Sequence, residues 1–441
     1  MKSRCAFAMA ALGVCLAAGC NTTGGPAWTG GTNGPGGAGG SAEGKGAAVG
    51  RGGAGRLLAV KPPQPPRRGG PVRAVWVTRS DYKSVGDIQA IMHDCESLGL
   101  NAVIFQVRGN GTAFYKSSIE PWADELGGAD PGFDPLAVAV EEAHSRGMNL
   151  HAWVNVMPGW RGTEPPRNPR QLYNARPEWF WYDQKGRRQP LTSTGRDGKR
   201  EACYVSLNPC LPEVRAYLVS VFAEIARNYE IDGLHLDYIR FPNEYVPRGA
   251  DYPYDARTLA LFRRDTGKTP AQSPKLWNQW RTDQVTAVVC ETRDMLQKTR
   301  PNAKLSASVV PDPERARADH FQDGAMWAWK GWVDFLTPMN YTADEALFIR
   351  RADAWRQRAA GKPIVMGLGV YAHASHEGLA RQIELADRWG QGFCLFAYSS
   401  LFNAGDRNRA GTTRPDWSAA RREARLAAIR PLLLRMANNR S

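Results

Sequence analysis

From residue 73 onward, short β-rich runs alternate with longer stretches of helical periodicity, and the alternation repeats eight times. The runs are RAVWVT (73–78), NAVIFQV (101–107), NLHAWVNV (149–156), GLHLDYI (233–239), KLSASVV (304–310), DFLTPMNY (334–341), PIVMGLGV (363–370) and GFCLFAYS (392–399). Helical patterns fall at 87–98, 134–146, 211–229, 280–299, 344–359 and 376–389, with a weaker one near 319–331. The runs are almost continuously apolar, as parallel strands buried on both faces require. Several helical patterns end in Gly, at Gly99, Gly147 and Gly390, where a left-handed C-cap needs a residue without a side chain. Eight such units point to an α/β chain folded as a (β/α)8 TIM barrel over 71–400. A doubly wound open sheet is the alternative, but no Gly-rich nucleotide turn follows the first run.

The long connections follow the third run (157–210) and the fourth (240–279). In a barrel these leave the C-terminal ends of strands, the face where active sites form. Alternate strand residues point inward. On that rule the site candidates are Trp76, Gln106, Arg108, Trp153 and Asn155, then His235 and Asp237, then Asn340, Tyr341 and Tyr398, with Arg240 just beyond the fourth run. Asp312 and Glu314 follow the fifth run in PDPE. Polar groups interleaved with aromatic rings suit a sugar, whose hydroxyls need partners and whose apolar face packs on rings. The bland reading is a polar lid over an ordinary barrel core.

IDGLHLDYIRFP (231–242) carries the sharpest signal. Asp237 ends a strand, where it either pairs structurally with Arg240 or Arg108 or acts as a carboxyl in glycoside cleavage. Its position at the catalytic face favours chemistry.

The N-terminus reads differently. MKSRCAFAMAALGVCLAAGC places Lys2 and Arg4 before a short apolar stretch and small residues, as an export signal does. Its LAAGC ending resembles a bacterial lipobox, with Ala17 where Leu is commoner, and makes Cys20 the expected lipidated residue. Asn21, rather than Asp, favours an outer-membrane anchor facing the periplasm; plain secretion is the alternative. Residues 21–70 are Gly- and Pro-rich with few large apolar side chains, so they are expected to form a tether. The far end, 401–441, reads as a basic helix or tail.

The 57 Lys and Arg against 43 Asp and Glu give a net charge of +14. An exported chain does not meet nucleic acid, so the expected anionic partners are cell-wall glycan, lipid headgroups or acidic polysaccharide. Of the eight Cys, Cys203 and Cys210 lie close enough in sequence for a disulfide in an oxidising compartment. Cys95, Cys290 and Cys394 sit among apolar residues as core thiols. No Cys/His spacing suits structural zinc, and no cofactor is called for.

Five stretches together identify a resemblance: RAVWVT, NAVIFQVRGNGTAFYKSSIEPWADELGG, GFDPLAVAVEEAHSRGMNLHAWVNV, SLNPCLPEVRAYLVSVFAEIARNYEIDGLHLDYIRFP and DFLTPMNYT. In this order they resemble the glycosyl hydrolase-like 10 family over about residues 71 to 400. The resemblance implies a barrel and, for some members, cleavage of peptidoglycan glycan strands stripped of stem peptides. Asp232-Gly233-Leu234-His235-Leu236-Asp237-Tyr238-Ile239 departs from the chitinase-like DGxDxDxE motif, because Ile239 stands where the acidic Glu would be. The amylase-like pattern of Gly233, His235 and Asp237 fits better and makes Asp237 the nucleophile or a stabilising carboxylate. That similarity also places the general acid after strand five, at Asp312 or Glu314, ahead of Glu244, Glu120 or Asp124. A substrate N-acetyl group acting in place of the protein nucleophile is the other route. The functions in contention are a peptidoglycan glycosidase, a catalytically silent glycan-binding lipoprotein, and an exopolysaccharide hydrolase.

Overall fold

A computed structural model describes residues 70–194, 199–242, 246–373, 375–389, 391–402 and 418–439. Eight parallel strands close a barrel in strict chain order: β1 (Val72–Val77), β2 (Ala102–Arg108), β3 (Asn149–Asn155), β4 (Gly233–Asp237), β5 (Lys304–Val309), β6 (Phe335–Asn340), β7 (Met366–Gly369) and β8 (Gly392–Phe396). Each neighbouring pair is parallel, and β8 pairs with β1 to complete the ring.

The near-continuous apolar runs divide by parity, as two-sided burial demands. Val75, Val103, Leu150, Leu234, Leu236 and Leu305 belong to the core between strands and helices. Ala74, Trp76, Ile104, Trp153, Phe335 and Cys394 pack with one another inside the barrel. Small residues make room for large ones in this interior. A Cβ on Gly233 would stand 2.2 Å from the His151 ring, and one on Gly367 would stand 3.0 Å from Trp76.

The helical layer begins with α1 (Val85–Ser97) and α2 (Pro135–Ser145). Ser84 and Asp87 form a capping box at the start of α1. Gly99 and Gly147 take φ +69° just past α1 and α2, as the Gly signals required; Gly390 lies outside the described residues. The layer continues with α3 (Pro212–Asn228), α4 (Ala256–Thr266) and α5 (Pro274–Thr299). The weak helical pattern near 319–331 is two short helices, α6 (Pro313–His320) and α7 (Gly324–Trp329), broken where Phe321 adopts φ +52°. After them come α8 (Glu345–Arg358) and α9 (His376–Arg388).

The last helix, α10 (Ala419–Asn438), is part of this layer rather than an appended tail. It buries Ile429 and Leu433, its Arg425 donates to the Ser400 carbonyl at 3.0 Å, and Ala437 sits against Gly99. Arg421, Arg430 and Arg435 are exposed on the face left over.

The connection after β3 folds back over the barrel mouth through an antiparallel pair, Pro158–Arg161 with Tyr204–Ser206. Cys203 and Cys210 are buried free thiols in this connection, not a disulfide, so its stability rests on packing. Cys95, Cys290 and Cys394 are buried free thiols too. Among the described residues no helix is long and apolar enough to cross a membrane. The export signal, Cys20 and almost all of the 21–70 tether lie outside the described residues, as does Glu244.

Candidate active site

A pocket of about 440 Å³ opens at the C-terminal ends of the strands, as the long connections anticipated. Of the residues singled out in the sequence, Trp76, Gln106, Trp153, Asn155, Asp237, Arg240 and Tyr341 line it. Tyr341 stacks on Phe396 at 5.0 Å, and Trp76 meets both rings edge-on, giving the floor an aromatic character.

Asp237 is the buried carboxyl of the pocket, with 6 % of the residue exposed. It closes β4, and the next residue, Tyr238, takes φ +48°, a costly conformation for a bulky side chain. The Tyr238 N–H donates to Asp237 Oδ1 at 2.6 Å, and Arg240 Nη1 approaches the same oxygen at 3.3 Å. Burial pushes the Asp237 carboxyl above its usual range, while the Arg240 guanidinium and the Tyr238 N–H pull the other way; the net direction is upward. Asn155 accepts from Trp153 Nε1 at 3.1 Å and donates to the Gly109 carbonyl at 3.0 Å, so both side chains are held before any ligand arrives.

His235 lies one layer below and does not line the pocket. Trp76 Nε1 can only donate, so its 3.3 Å contact makes His235 Nε2 an acceptor. The ring proton therefore sits on Nδ1, 2.8 Å from Ser306 Oγ, with Ser308 Oγ 2.8 Å from Nε2. Burial drives the His235 pKa down to about 3 and that of His151 below it to about 4. Both are neutral parts of the packed interior.

Five other candidates are elsewhere. Arg108 is fully buried, held by Glu120 at 2.8 Å and by the carbonyls of Asn155, Val156 and Pro158. A register shift between Gln106 and Arg108 turns it out of the inward phase. Asn340 points to the helices, donating to the Phe348 carbonyl at 2.9 Å, because Met339 takes the inward position. Tyr398 donates to Asp94 at 2.7 Å in the helical layer.

Asp312 and Glu314 do not line the pocket either. Asp312 caps α6 by accepting from the N–H groups of Glu314 and Arg315 at 3.0 Å, and Glu314 is exposed and paired with Arg358. The Asp-Pro-Glu sequence is a helix start, with Pro at the first turn and a carboxylate before it.

The structure adds residues that strand parity could not supply. Glu125, in the short turn Asp124–Leu126 within the loop after β2, lines the pocket and accepts from Arg79 Nε at 2.8 Å. Arg79 also reaches the Tyr204 hydroxyl, at 3.4 Å from each terminal nitrogen. Arg161 and Tyr204 arrive from the long connection after β3. Asp237 and Glu125 are the two carboxyls lining the pocket among the described residues. No cluster of His, Cys, Asp and Glu suited to a metal ion occurs among those residues.

A closed (β/α)8 barrel with an aromatic-floored mouth that holds two carboxyls defines the class. The chain belongs to the family described as glycosyl hydrolase-like 10, which it matches over residues 71–390. It is 26 % identical over 337 residues to glycosyl hydrolase YngK of Bacillus subtilis, covering 68 % of this chain and 61 % of that one. It thus spans about three fifths of YngK. It is also 26 % identical to glycosyl hydrolase DigH of Escherichia coli K12, over 64 % of this chain and 68 % of DigH. Among solved structures, the glycoside hydrolase domain of PgaB from Bordetella bronchiseptica superposes with a TM-score of 0.54 at 15 % identity, covering 74 % of this chain and 94 % of that one. The catalytic domain of β-amylase from Paenibacillus polymyxa gives 0.55 at 11 % identity, covering 83 % and 98 %. Those two likenesses carry the fold.

Proposed function

We propose that the protein is a glycoside hydrolase of the cell envelope that cuts the glycan strands of peptidoglycan, with Asp237 as nucleophile or stabilising carboxylate. The observation that carries this reading is the buried Asp237 carboxyl at the pocket mouth, immediately before a strained Tyr238. Family membership and two relatives named glycosyl hydrolases support the reaction class.

The electrostatics fit that role. An anion whose pKa is raised by burial is poorly solvated where it stands. Positive charge developing at a sugar's anomeric carbon relieves this cost in the transition state, so the interaction is stronger there than in the ground state. Tyr238 N–H and Arg240 Nη1 both approach one carboxylate oxygen, Oδ1, and so orient the group. Glu125 is the second carboxyl of the pocket, in place of the expected Asp312 or Glu314. Anchoring through a lipid on Cys20 would hold the barrel at the outer membrane, facing the periplasm, beside its substrate.

A catalytically silent glycan-binding lipoprotein is the second reading, favoured by the commitment of Glu125 to Arg79. The test is to incubate the protein with intact sacculi, amidase-stripped sacculi and an exopolysaccharide and to count new reducing ends. Release from the stripped wall, lost in Asp237→Asn, is the expected result. Binding without release assigns the silent module, and release from exopolysaccharide alone moves the substrate.

A further inference from the structure

The charges around the pocket do not balance among the described residues. Three arginines line it: Arg79, Arg161 and Arg240. Arg79 is paired with Glu125 at 2.8 Å and Arg240 with Asp237 at 3.3 Å. Arg161 has no carboxylate partner among the described residues; its guanidinium lies over the Tyr204 ring, 5.4 Å from the centroid.

Arg161 is also fixed in place by the fold. It ends the Pro158–Arg161 strand and stands opposite Tyr204 in the antiparallel register. Tyr204 joins it to the rest of the site, with its hydroxyl near Arg79 and its ring 4.9 Å from that of Tyr238. Tyr238 in turn lies under the Arg240 guanidinium at 4.3 Å. A continuous strip of rings and guanidinium groups therefore runs from the exposed Arg161 to Asp237. A cation–π contact favours the guanidinium's place beside the ring while leaving its N–H groups available, the state suited to a planar anion.

We infer that Arg161 is a specificity-determining residue that reads a carboxylate carried by the sugar bound beside Asp237. This rests on the glycan-cleaving reading and narrows it to acidic glycan. In cell-wall glycan the matching group is the lactyl carboxylate of the muramic acid residue, which carries charge only when no peptide is attached to it. A neutral glycan would leave the Arg161 donors facing water.

Binding tests this without requiring cleavage. Glycan oligosaccharides with free lactyl carboxylates, and the same oligosaccharides with those groups reduced to alcohols, are titrated calorimetrically into Asp237→Asn protein. The free acids should bind about tenfold more tightly, as one charge-assisted hydrogen-bonded pair allows. Adding Arg161→Gln should remove the preference by weakening the acid and leaving the alcohol unchanged. Equal affinities for the two ligands, a preference that survives Arg161→Gln, or no binding of either overturns the inference. Failure of the hydrolase reading is separate: it would appear as absent reducing ends with wild-type protein while the carboxylate preference persisted.

Discussion

Arg240 approaches Asp237 Oδ1 at 3.3 Å across three residues of chain, with both side chains almost wholly buried. The pair sets how readily the carboxyl ionises. Burial raises the Asp237 pKa and Arg240 opposes it. If the anion is the working form, activity is lost as pH falls through that raised pKa. The acid limb of kcat/KM should therefore lie above the ordinary carboxylate range, and Arg240→Met should move it further toward neutral pH. A pH–rate profile of both proteins checks this; an unmoved limb would assign the titration to another group.

Much of the architecture was legible because polarity marks strand phase wherever one parity is polar. On β3 and β4, Trp153, Asn155, His235 and Asp237 read as inward and are inward. The same rule failed at Asn340, where Met339 packs into the mouth and the polar Asn finds a carbonyl among the helices. It failed at Arg108, because a bulge is a backbone event that residue type does not announce. Glu125 was out of reach for another reason. It belongs to no strand, and only the path of a loop through space brings it to the pocket that Asp237 lines.

The capping role of Asp312 separates stability from chemistry. Asp312→Ala removes the acceptor for two N–H groups at the start of α6 and should cost about 1 kcal/mol. Glu314→Gln breaks only an exposed pair with Arg358, worth less than about 1 kcal/mol. Neither should lower kcat for glycan release by more than about twofold, since catalytic acid loss costs about 10²-fold or more. A large fall in kcat for Glu314→Gln at unchanged melting temperature would restore it as the acid.

Breaking the Arg108–Glu120 pair should be far more damaging than its absence from the pocket suggests. Glu120 accepts from two Arg108 nitrogens and from the Tyr217 hydroxyl at 3.0 Å, with no side-chain exposure at either charge. Glu120→Gln leaves a buried guanidinium without its counter-charge and should cost about 3 to 5 kcal/mol. Urea unfolding measures it. The loss should be much smaller in Glu120→Gln/Arg108→Met, because the stranded charge is then gone.

The two interior histidines predict how stability responds to acid. Both titrate far below an unfolded-state histidine, His235 at about 3 and His151 at about 4, because burial penalises the imidazolium. Between an unfolded pKa near 6.5 and these values the unfolded chain binds protons that the folded chain refuses. Each histidine therefore lowers stability as pH falls through that window, by up to about 1.4 kcal/mol per pH unit. Unfolding free energies measured from pH 7 to 4.5 should decline, and His235→Asn should remove one proton from the slope. Asn keeps polar contacts for Ser306 and Ser308 but leaves unfilled ring volume, so its stability at pH 7 should drop by about 1 to 3 kcal/mol. The two curves should then converge toward low pH. An unchanged slope in His235→Asn would mean that the ring is charged in the folded protein, contrary to the Trp76 contact that makes Nε2 an acceptor.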